Sequence, residues 1–298
     1  MTKKKILKKV IFGTWPISGD YSKVNNNKSI NLLRLAYKSG INEFDTAPNY
    51  GYGNSEFLIG KAFEQFKVKP KINTKIGNNH KKIKSFSLSF LKKSFQNSLK
   101  ILKIKKINIL YLHNPLNISN SKEIFKYLAI LKKEKKIKDF GLSISKDFKY
   151  KEKFINKFKI IQLDHNILYL KNSCNKQFNK KIIHARSPFA SGTIFLLNKK
   201  KFFSDSDFRL KWLSEERKKI IILQLKHIKK TFNKDVYDLS LNFLFNDKFV
   251  NKIIIGVKSI AQLNNFLKKT KVIQKNIINV SLYKKFFFSQ NIFKDKGF

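Results

Sequence analysis

Short runs of apolar residues alternate with amphipathic segments along almost the whole chain. Between the runs, apolar residues recur at helical spacing, as in residues 87–104, where Leu88, Leu91, Phe95 and Leu99 fall on one face. Alternation of short strands with helices predicts a parallel sheet covered by helices. The predicted strands are residues 10–14, 41–44, 71–76, 107–112, 137–143, 160–163, 181–185 and 250–255.

About eight strand–helix units within 298 residues favour a closed barrel over an open sheet. No stretch rich in Pro, Gly or Ser marks a linker, so we predict an α/β fold, a single-domain (β/α)8 TIM barrel over residues 1–298. Residues 271–298 show no clear pattern and are expected to form a variable C-terminal tail. A Rossmann fold is disfavoured, because Gly51 and Gly53 lack a third glycine at position 56 and follow the second predicted strand instead of the first.

The composition is that of a folded protein of a reducing compartment. Hydrophobic residues make up 42% of the chain, which argues against disorder. Cys174 is the single cysteine, so an internal disulfide is impossible and a Cys-based metal site is implausible. No apolar run approaches the ~20 residues of a membrane-spanning helix, and residues 10–12 are too short for a secretory core. We expect a cytoplasmic protein without a membrane partner.

The formal net charge of +45 would fit a partner such as nucleic acid or an anionic membrane. However, the arginines are only Arg34, Arg186, Arg209 and Arg217, which leaves 60 lysines among the 64 basic residues, spread along the whole chain. Nucleic-acid readout favours arginine. The joint richness in Lys, Asn, Ile and Phe has another explanation, a genome biased toward A- and T-rich codons. We therefore expect no specific nucleic-acid partner, only weak binding to polyanions at low salt.

Four polar residues fall at the ends of three consecutive predicted strands. Asp45 follows the second strand with Tyr50 on the next loop, Lys75 closes the third strand, and His113 follows the fourth. In a barrel of parallel strands these ends meet at one rim. An ammonium lowers the pKa of a neighbouring phenol, a carboxylate keeps that ammonium charged, and an imidazole can orient a carbonyl oxygen. Together the four residues predict a proton-transfer site.

Each residue also has an ordinary explanation when it is taken alone. Asp45 could cap a helix with Tyr50 as a loop residue, Lys75 could be solvated, and His113 could belong to a turn or the core. Gln162, at the end of the sixth strand, could likewise be a loop residue. The joint occurrence of all four groups at consecutive strand ends favours the functional interpretation.

Two segments resemble the signatures of the aldo-keto reductase family, in its bacterial type. The first begins at Gly40 and contains FDTAPNYGYGNSE followed by Gly60, and the second is INILYLHNP at residues 107–115. The resemblance extends from about residue 10 to about residue 267. It implies a (β/α) barrel that transfers hydride between NADPH and an aldehyde, ketone or sugar carbonyl. It also implies that the catalytic residues are Asp45, Tyr50, Lys75 and His113, with Tyr50 as the general acid in reduction.

The resemblance further implies a set of cofactor-binding residues. Lys258 weakly favours NADP, with NAD possible. The pattern departs from the family at Ile144 and Phe266, where many members carry Asn, and at Arg186, where many stack a Tyr on the nicotinamide. The last loop could also be an ordinary strand-to-helix turn. The implied cofactor residues are Gly13, Thr14 and Trp15 at the site mouth, Ser143 and Gln162 for the nicotinamide carboxamide, Arg186 and Ser187 after the seventh strand, and Gly256, Lys258, Ser259 and Gln262 for the adenosine phosphate.

We predict an NADP-dependent oxidoreductase acting on a small-molecule carbonyl substrate, with no metal. The histidines His80, His113, His165, His184 and His227 have no ligand-like spacing. The alternatives are a nucleotide-binding barrel without turnover, favoured by Arg186 and Phe266, and a polyanion-binding protein. The sequence favours neither a monomer nor a homo-oligomer over the other.

The substrate wall is expected from three variable segments, residues 16–26, 189–214 and 271–298. These segments contain Trp212, Phe202, Phe203 and a Phe-rich tail. Aromatic side chains of this kind predict an apolar or sugar-stacking wall.

Overall fold

A computed structural model describes residues 3–115, 121–146, 148, 150–198, 203, 207–271, 273 and 278–294. Within them, eight parallel strands close a barrel in chain order, and the last strand pairs with the first. The predicted (β/α)8 barrel is therefore confirmed. The strands are β1 Val10–Gly13, β2 Glu43–Asp45, β3 Lys71–Ile76, β4 Ile107–His113, β5 Ile137–Ser143, β6 Ile160–Asp164, β7 Ile182–Arg186 and β8 Lys252–Gly256.

Helices cover the outside of the barrel and bury their apolar faces against the strands. The long helix before β4 illustrates the cause: its predicted apolar face buries Leu91, Phe95 and Leu102. The helices are α1 Lys3–Lys8, α2 Asn26–Lys38, α3 Asn54–Phe63, α4 Leu88–Leu102, α5 Ser121–Lys133, α6 Glu152–Ile155, α7 Glu215–Phe232, α8 Val236–Asn246, α9 Ile260–Lys271 and α10 Val280–Ser289.

Boundaries differ from the sequence prediction at a few places. The predicted strand at 41–44 begins only at Glu43, because Gly40 takes a φ of 100° after α2 and Ile41 packs into the core before the pairing starts. Between β5 and β6 the described chain forms only a single helical turn, α6. Helix α1 and helix α10 had no counterpart in the sequence prediction.

The register of the strands brings polar residues to one end of the barrel. Asp45 closes β2 opposite Gly13 of β1, and His113 closes β4 opposite Ser143 of β5. Ser143 in turn lies opposite Gln162 of β6. These positions are all at the carboxyl ends of their strands, so the chain folds with its candidate site at the rim where (β/α) barrels carry their chemistry.

Helix α10 packs against the outside of the barrel. The phenol of Tyr283 is fully buried and donates a hydrogen bond to the carbonyl oxygen of Ile167 at 2.8 Å. Lys284 forms an ion pair of 2.9 Å with Asp247, whose second oxygen lies 2.9 Å from Nε2 of His165. The described part of the C-terminal segment is therefore attached to the barrel through named polar contacts. None of the described helices is both long and apolar enough to cross a bilayer.

Candidate active site

Lys75 is the centre of a polar group at the C-terminal rim. Its Nζ donates hydrogen bonds to Oδ1 of Asp45 at 2.7 Å, to the carbonyl oxygen of Thr46 at 2.7 Å and to the hydroxyl of Tyr50 at 3.0 Å. Both Lys75 and Asp45 are buried. Burial lowers the pKa of Lys75, but Asp45 and then Tyr50 outweigh it and hold that pKa above its ordinary value. The ammonium therefore stays charged beside the phenol.

The turn that carries Tyr50 depends on glycine. Tyr50–Gly53 form a 3₁₀ turn in which Gly51 has a φ of 56° and Tyr52 a φ of 55°, both in the left-handed region. A Cβ atom on Gly51 would fall 2.0 Å from the carbonyl oxygen of Ser18. Only glycine allows this close approach to the loop after β1, so the local sequence fixes where the Tyr50 side chain leaves the backbone.

Asp20 joins the two loops beside Tyr50. Its Oδ2 accepts hydrogen bonds from Nε1 of Trp15 at 2.9 Å and from the backbone N–H of Gly51 at 2.9 Å, and its Oδ1 accepts from Lys82 at 3.0 Å. The indole of Trp15 stacks on the Tyr50 ring, with centroids 5.7 Å apart and an angle of 19° between the planes. No sequence pattern marks Asp20, because its partners are 5, 31 and 62 positions away in the chain and only the fold brings them together.

His113 faces the Tyr50 ring edge-on. The ring centroids are 6.2 Å apart and the planes meet at 82°. Burial, followed by the positive charges of Lys75 and Arg186, lowers the pKa of His113 well below its usual value. The imidazole is therefore neutral near pH 7. Its Nδ1 is buried and has no hydrogen-bond partner among the described residues.

A chain of hydrogen bonds extends from Asp45 along the rim. Nε2 of Gln162 donates to Oδ2 of Asp45 at 2.7 Å, and Oγ of Ser143 donates to Oε1 of Gln162 at 2.8 Å. The two residues implied for the nicotinamide carboxamide are therefore bonded to each other. Gln162 lines the cavity described below, whereas Ser143 is fully buried behind it.

Arg186, which stands where many family members carry an aromatic ring, is held by the barrel rim. Its guanidinium donates to Oδ2 of Asp164 at 3.0 Å, to the carbonyl oxygen of Ile144 at 2.6 Å and to Oγ of Ser143 at 3.4 Å. Burial raises the pKa of Asp164, but the Arg186 charge outweighs it and holds that pKa below its ordinary value. The result is a fixed, charged surface at this point of the rim.

A cavity of about 890 Å³ opens above these groups. The cavity is one continuous space that extends from Tyr50 at one end to the loop after β8 at the other. The residues from the sequence prediction that line it are Gly13, Thr14, Trp15, Asp45, Tyr50, His113, Gln162, Arg186, Ser187, Gly256, Lys258 and Gln262.

Three of the predicted site residues, Lys75, Ser143 and Ser259, do not line the cavity. Lys75 and Ser143 are fully buried, and Ser259 accepts a hydrogen bond from the backbone N–H of Gln262 at 3.2 Å at the start of α9. Phe266 is fully buried in the hydrophobic core, and Asn265 lines the cavity in its place. The position at which many family members carry Asn is therefore part of the core in this chain.

None of the described residues of the predicted tail, 271–298, lines the cavity. The described residues that line it end at Asn265, and α10 packs on the outside of the barrel. The loop after β7 does contribute, through Phe208, Trp212 and neighbouring residues. Phe203 packs under the guanidinium of Arg209, 4.1 Å from its ring centroid. Phe202, residues 274–277 and residues 295–298 lie outside the described residues.

The residues at the β8 end fit the phosphates of a nicotinamide dinucleotide. Lys258 and Arg217 both line the cavity, and neither has a carboxylate partner in the described part of the chain. Arg217 donates to the carbonyl oxygen of Trp212 at 3.1 Å, which leaves most of its N–H groups uncommitted. Two cations of the cavity lining without a carboxylate partner among the described residues form a suitable environment for anionic groups.

Carboxylates, histidines and cysteines do not converge on a metal site in the described residues. No group of three or more such side chains is close enough to hold an ion there.

The sequence profile of the Aldo/keto reductase family matches residues 9–282. This match covers nearly the whole chain, which therefore belongs to the aldo/keto reductase family, a family of NAD(P)H-dependent oxidoreductases. Pyridoxal 4-dehydrogenase of Microbacterium luteolum is 25% identical over 173 residues, which cover 45% of this chain and 51% of that protein. Aldo-keto reductase YhdN of Bacillus subtilis is 29% identical over 137 residues, covering 44% and 41%. L-galactose dehydrogenase of Arabidopsis thaliana is 32% identical over 106 residues, covering 35% and 33%.

These matches span between a third and about half of the length of the curated relatives. Solved structures match over more of the chain. A glycerol dehydrogenase from Gluconobacter oxydans superposes with a TM-score of 0.70 at 20% identity, covering 89% of this chain and 90% of that one. The holo form of an aldo-keto reductase from Bacillus halodurans gives 0.71 at 18% identity, covering 93% and 91%. At such identities the likeness establishes the fold.

Proposed function

We propose that this chain is an NADP-dependent carbonyl reductase whose reaction takes place at Tyr50. The observation that carries the proposal is the position of Lys75 Nζ between Oδ1 of Asp45, at 2.7 Å, and the hydroxyl of Tyr50, at 3.0 Å. An ammonium held in this way stabilises the phenolate that remains when Tyr50 gives up its proton. The catalytic residues of the proposal are Asp45, Tyr50, Lys75 and His113.

The proton chemistry is assigned to the side chains at the rim. The Tyr50 hydroxyl donates its proton to the carbonyl oxygen of the substrate, and its phenolate later recovers a proton from solvent. Lys75 stabilises the phenolate, and Asp45 keeps Lys75 charged. Neutral His113 donates an N–H hydrogen bond to the same carbonyl oxygen and so fixes its direction. A bound nicotinamide cofactor supplies the hydride that adds to the carbonyl carbon. The opposite direction, oxidation of the alcohol, uses Tyr50 as the base.

The cofactor is assigned to the continuous cavity. Gln162 and Arg186 face its nicotinamide end, where Ser143 supports Gln162 from behind. Lys258 and Arg217 hold the phosphates, with Gly256, Ser259 and Gln262 forming the turn at the start of α9. A lysine without a carboxylate partner favours the extra phosphate of NADP over NAD. The remaining implied residues, Gly13, Thr14, Trp15 and Ser187, form the walls between the two ends.

The substrate is proposed to be a small aldehyde, ketone or sugar. The proposed enzyme is a single-domain barrel that acts in the cytoplasm and has no specific nucleic-acid or membrane partner. Two similar proteins are named L-galactose dehydrogenase and glycerol dehydrogenase, and these names support a reaction that interconverts carbonyl compounds and alcohols. Residues 271–298 are assigned to the barrel domain as an outer tail.

The test is a fluorescence titration with NADPH and NADH, followed by oxidation of the bound cofactor with a panel of aldehydes and sugar ketones. We expect tighter binding of NADPH and turnover with at least one class of carbonyl. Binding without turnover on any carbonyl would favour a nucleotide-binding barrel with a regulatory role. The feature that favours this alternative is Arg186, which stands where many family members carry an aromatic ring. The absence of binding to either nucleotide would contradict the proposal.

A further inference from the structure

Asn49 lines the cavity directly beside Tyr50. Its Oδ1 is buried and has no hydrogen-bond partner among the described residues. Buried side-chain polar atoms in proteins are nearly always hydrogen-bonded, so an unpaired one next to a reactive group needs an explanation. His113, whose ring centroid lies 6.2 Å from that of Tyr50, also lines the cavity and has a buried Nδ1 without a partner among the described residues.

The local backbone does not use the Asn49 side chain. Asn49 precedes the 3₁₀ turn Tyr50–Gly53, a position at which Asn usually accepts a hydrogen bond from a backbone N–H two or three residues later. No such bond is present, and the Gly51 N–H that could have supplied one is taken by Asp20 at 2.9 Å. The Asn49 Oδ1 atom is therefore left without a partner in a turn that could have supplied one, which points to a partner other than the described residues.

We infer that Asn49 binds a hydroxyl group of the substrate, so that the preferred substrates are hydroxyaldehydes or hydroxyketones. The inference rests on the proposed function, because it places the carbonyl at Tyr50. A primary amide offers both a donor and an acceptor, and a hydroxyl is the neutral group that can pair with either. A substrate without that hydroxyl leaves the amide without a hydrogen bond. Its kcat/KM is therefore lower than that of the hydroxylated analogue.

The surrounding walls suit a polyhydroxylated molecule. Trp15, Tyr21 and Trp212 line the cavity and present aromatic rings, which pack on the C–H faces of such molecules. Asp20 and Lys82 also line it and add polar groups on the side where Tyr50 lies. The wall therefore combines apolar faces with hydrogen-bonding groups, and Asn49 is its polar member nearest to Tyr50 in the sequence.

The test compares D-glyceraldehyde with propanal, which have the same carbon number and differ in their hydroxyl groups. Values of kcat/KM are measured by cofactor oxidation and expressed per concentration of free aldehyde, because both compounds hydrate in water. We expect the native protein to favour glyceraldehyde by about 10- to 100-fold. In Asn49→Leu, which keeps the side-chain size and removes the amide, the glyceraldehyde value is expected to fall by a similar factor without a matching loss for propanal.

A matched control is Asn265→Leu, which removes an amide from the opposite end of the same cavity. It should leave the ratio of the two kcat/KM values unchanged, whatever it does to cofactor affinity. If Asn49→Leu does not fold, Asn49→Ala and the substrate ratio of the native protein decide the question. Equal use of both aldehydes by the native protein, or an equal loss for both in Asn49→Leu, overturns the inference while the proposed function stands. Failure of every aldehyde to oxidise the cofactor overturns the proposed function and the inference with it.

Discussion

The ammonium of Lys75 lies 2.7 Å from Oδ1 of Asp45 and 3.0 Å from the hydroxyl of Tyr50, with the lysine side chain completely removed from solvent. A buried ammonium is costly unless carboxylates and hydrogen-bond acceptors surround it. Here Asp45, Thr46 and Tyr50 accept its three N–H groups. The Lys75–Asp45 ion pair is therefore expected to affect both the stability of the fold and the reaction at Tyr50, and these two effects can be measured separately.

Replacement of Lys75 by methionine should destabilise the fold, because it leaves Asp45 buried without its cation. We expect a loss of about 3–5 kcal/mol in the free energy of unfolding, measured by urea denaturation. The control is Lys132→Met, which breaks a surface ion pair of 2.9 Å with Asp139 and should cost no more than about 1 kcal/mol. Equal losses in the two variants would show that the Lys75–Asp45 pair does not stabilise the fold.

Replacement of Asp20 by alanine should disturb Tyr50 without touching the reacting atoms. It removes the acceptor shared by Trp15 and the Gly51 N–H, so the loop after β1 and the Tyr50 turn lose this hydrogen-bonded connection. We expect kcat to fall by about 10- to 100-fold, as for other small displacements of catalytic groups.

The independent readout for Asp20 is the fluorescence of Trp15. A Trp212→Phe background isolates it, because the chain has 2 tryptophans. Asp20→Ala should shift the Trp15 emission together with the loss of kcat. The control is Asp139→Ala, which removes a carboxylate from a surface ion pair. An unchanged emission with a reduced kcat would contradict the positioning role of Asp20.

Glu56 should make stability depend on pH. It lies on α3 almost completely buried and accepts hydrogen bonds from Thr74 at 2.6 Å and Ser98 at 3.3 Å. Burial raises the pKa of Glu56 to about 7, because it outweighs these hydrogen bonds and the attraction of Lys75. The folded state therefore prefers the protonated carboxyl. Its stabilising effect is complete below pH ~4.5, the unfolded pKa, and is lost as the pH rises through about 7.

The measurement for Glu56 is urea denaturation of the native protein and Glu56→Gln between pH 4.5 and 8. The glutamine keeps an acceptor for Thr74 and does not ionise. We expect the unfolding free energy of Glu56→Gln, relative to the native protein, to rise with pH by on the order of 2–4 kcal/mol across this interval. A difference that stays constant with pH would mean that Glu56 does not titrate in this range.

Lys258 should control the choice between the two nicotinamide cofactors. Removal of a cation from a charge-assisted contact with phosphate costs roughly 10- to 100-fold in affinity. Lys258→Met is therefore expected to raise the Kd for NADPH by that factor and to change the Kd for NADH much less. The control is Lys268→Met, which replaces an exposed lysine on α9, the helix that follows Lys258. Equal effects of Lys258→Met on both cofactors would assign another residue to the extra phosphate.

The barrel could be predicted from the sequence because the alternation of apolar runs with amphipathic segments is a local pattern that repeats along the chain. Each apolar run fills the interior or the layer under the helices, and each amphipathic segment covers it, so the alternation alone predicts the architecture. The grouping of Asp45, Tyr50, Lys75 and His113 was accessible for a related reason: parallel strands end at the same rim. Both inferences need only the order of elements.

Other features depend on contacts between distant loops and on helix orientation. The role of Asp20 requires that residues 15–20 fold back onto the Tyr50 turn, which no periodicity encodes. The burial of Phe266 and the position of Asn265 at the cavity depend on the rotation of α9 against the core. Helix α10 was missed because its aromatic residues give no clear period, although Tyr283 and Lys284 attach it to the barrel.

The most direct test of the account is single-turnover hydride transfer in Tyr50→Phe with saturating NADPH and a carbonyl that the native protein reduces. The phenylalanine keeps the ring that stacks on Trp15 and removes the hydroxyl, which is the proposed proton donor and an acceptor for Lys75. We predict that the rate of cofactor oxidation falls by about 10²–10⁴-fold while the Kd for NADPH stays unchanged. A variant that transfers hydride at the native rate would show that Tyr50 is not the acid and would contradict the proposed mechanism.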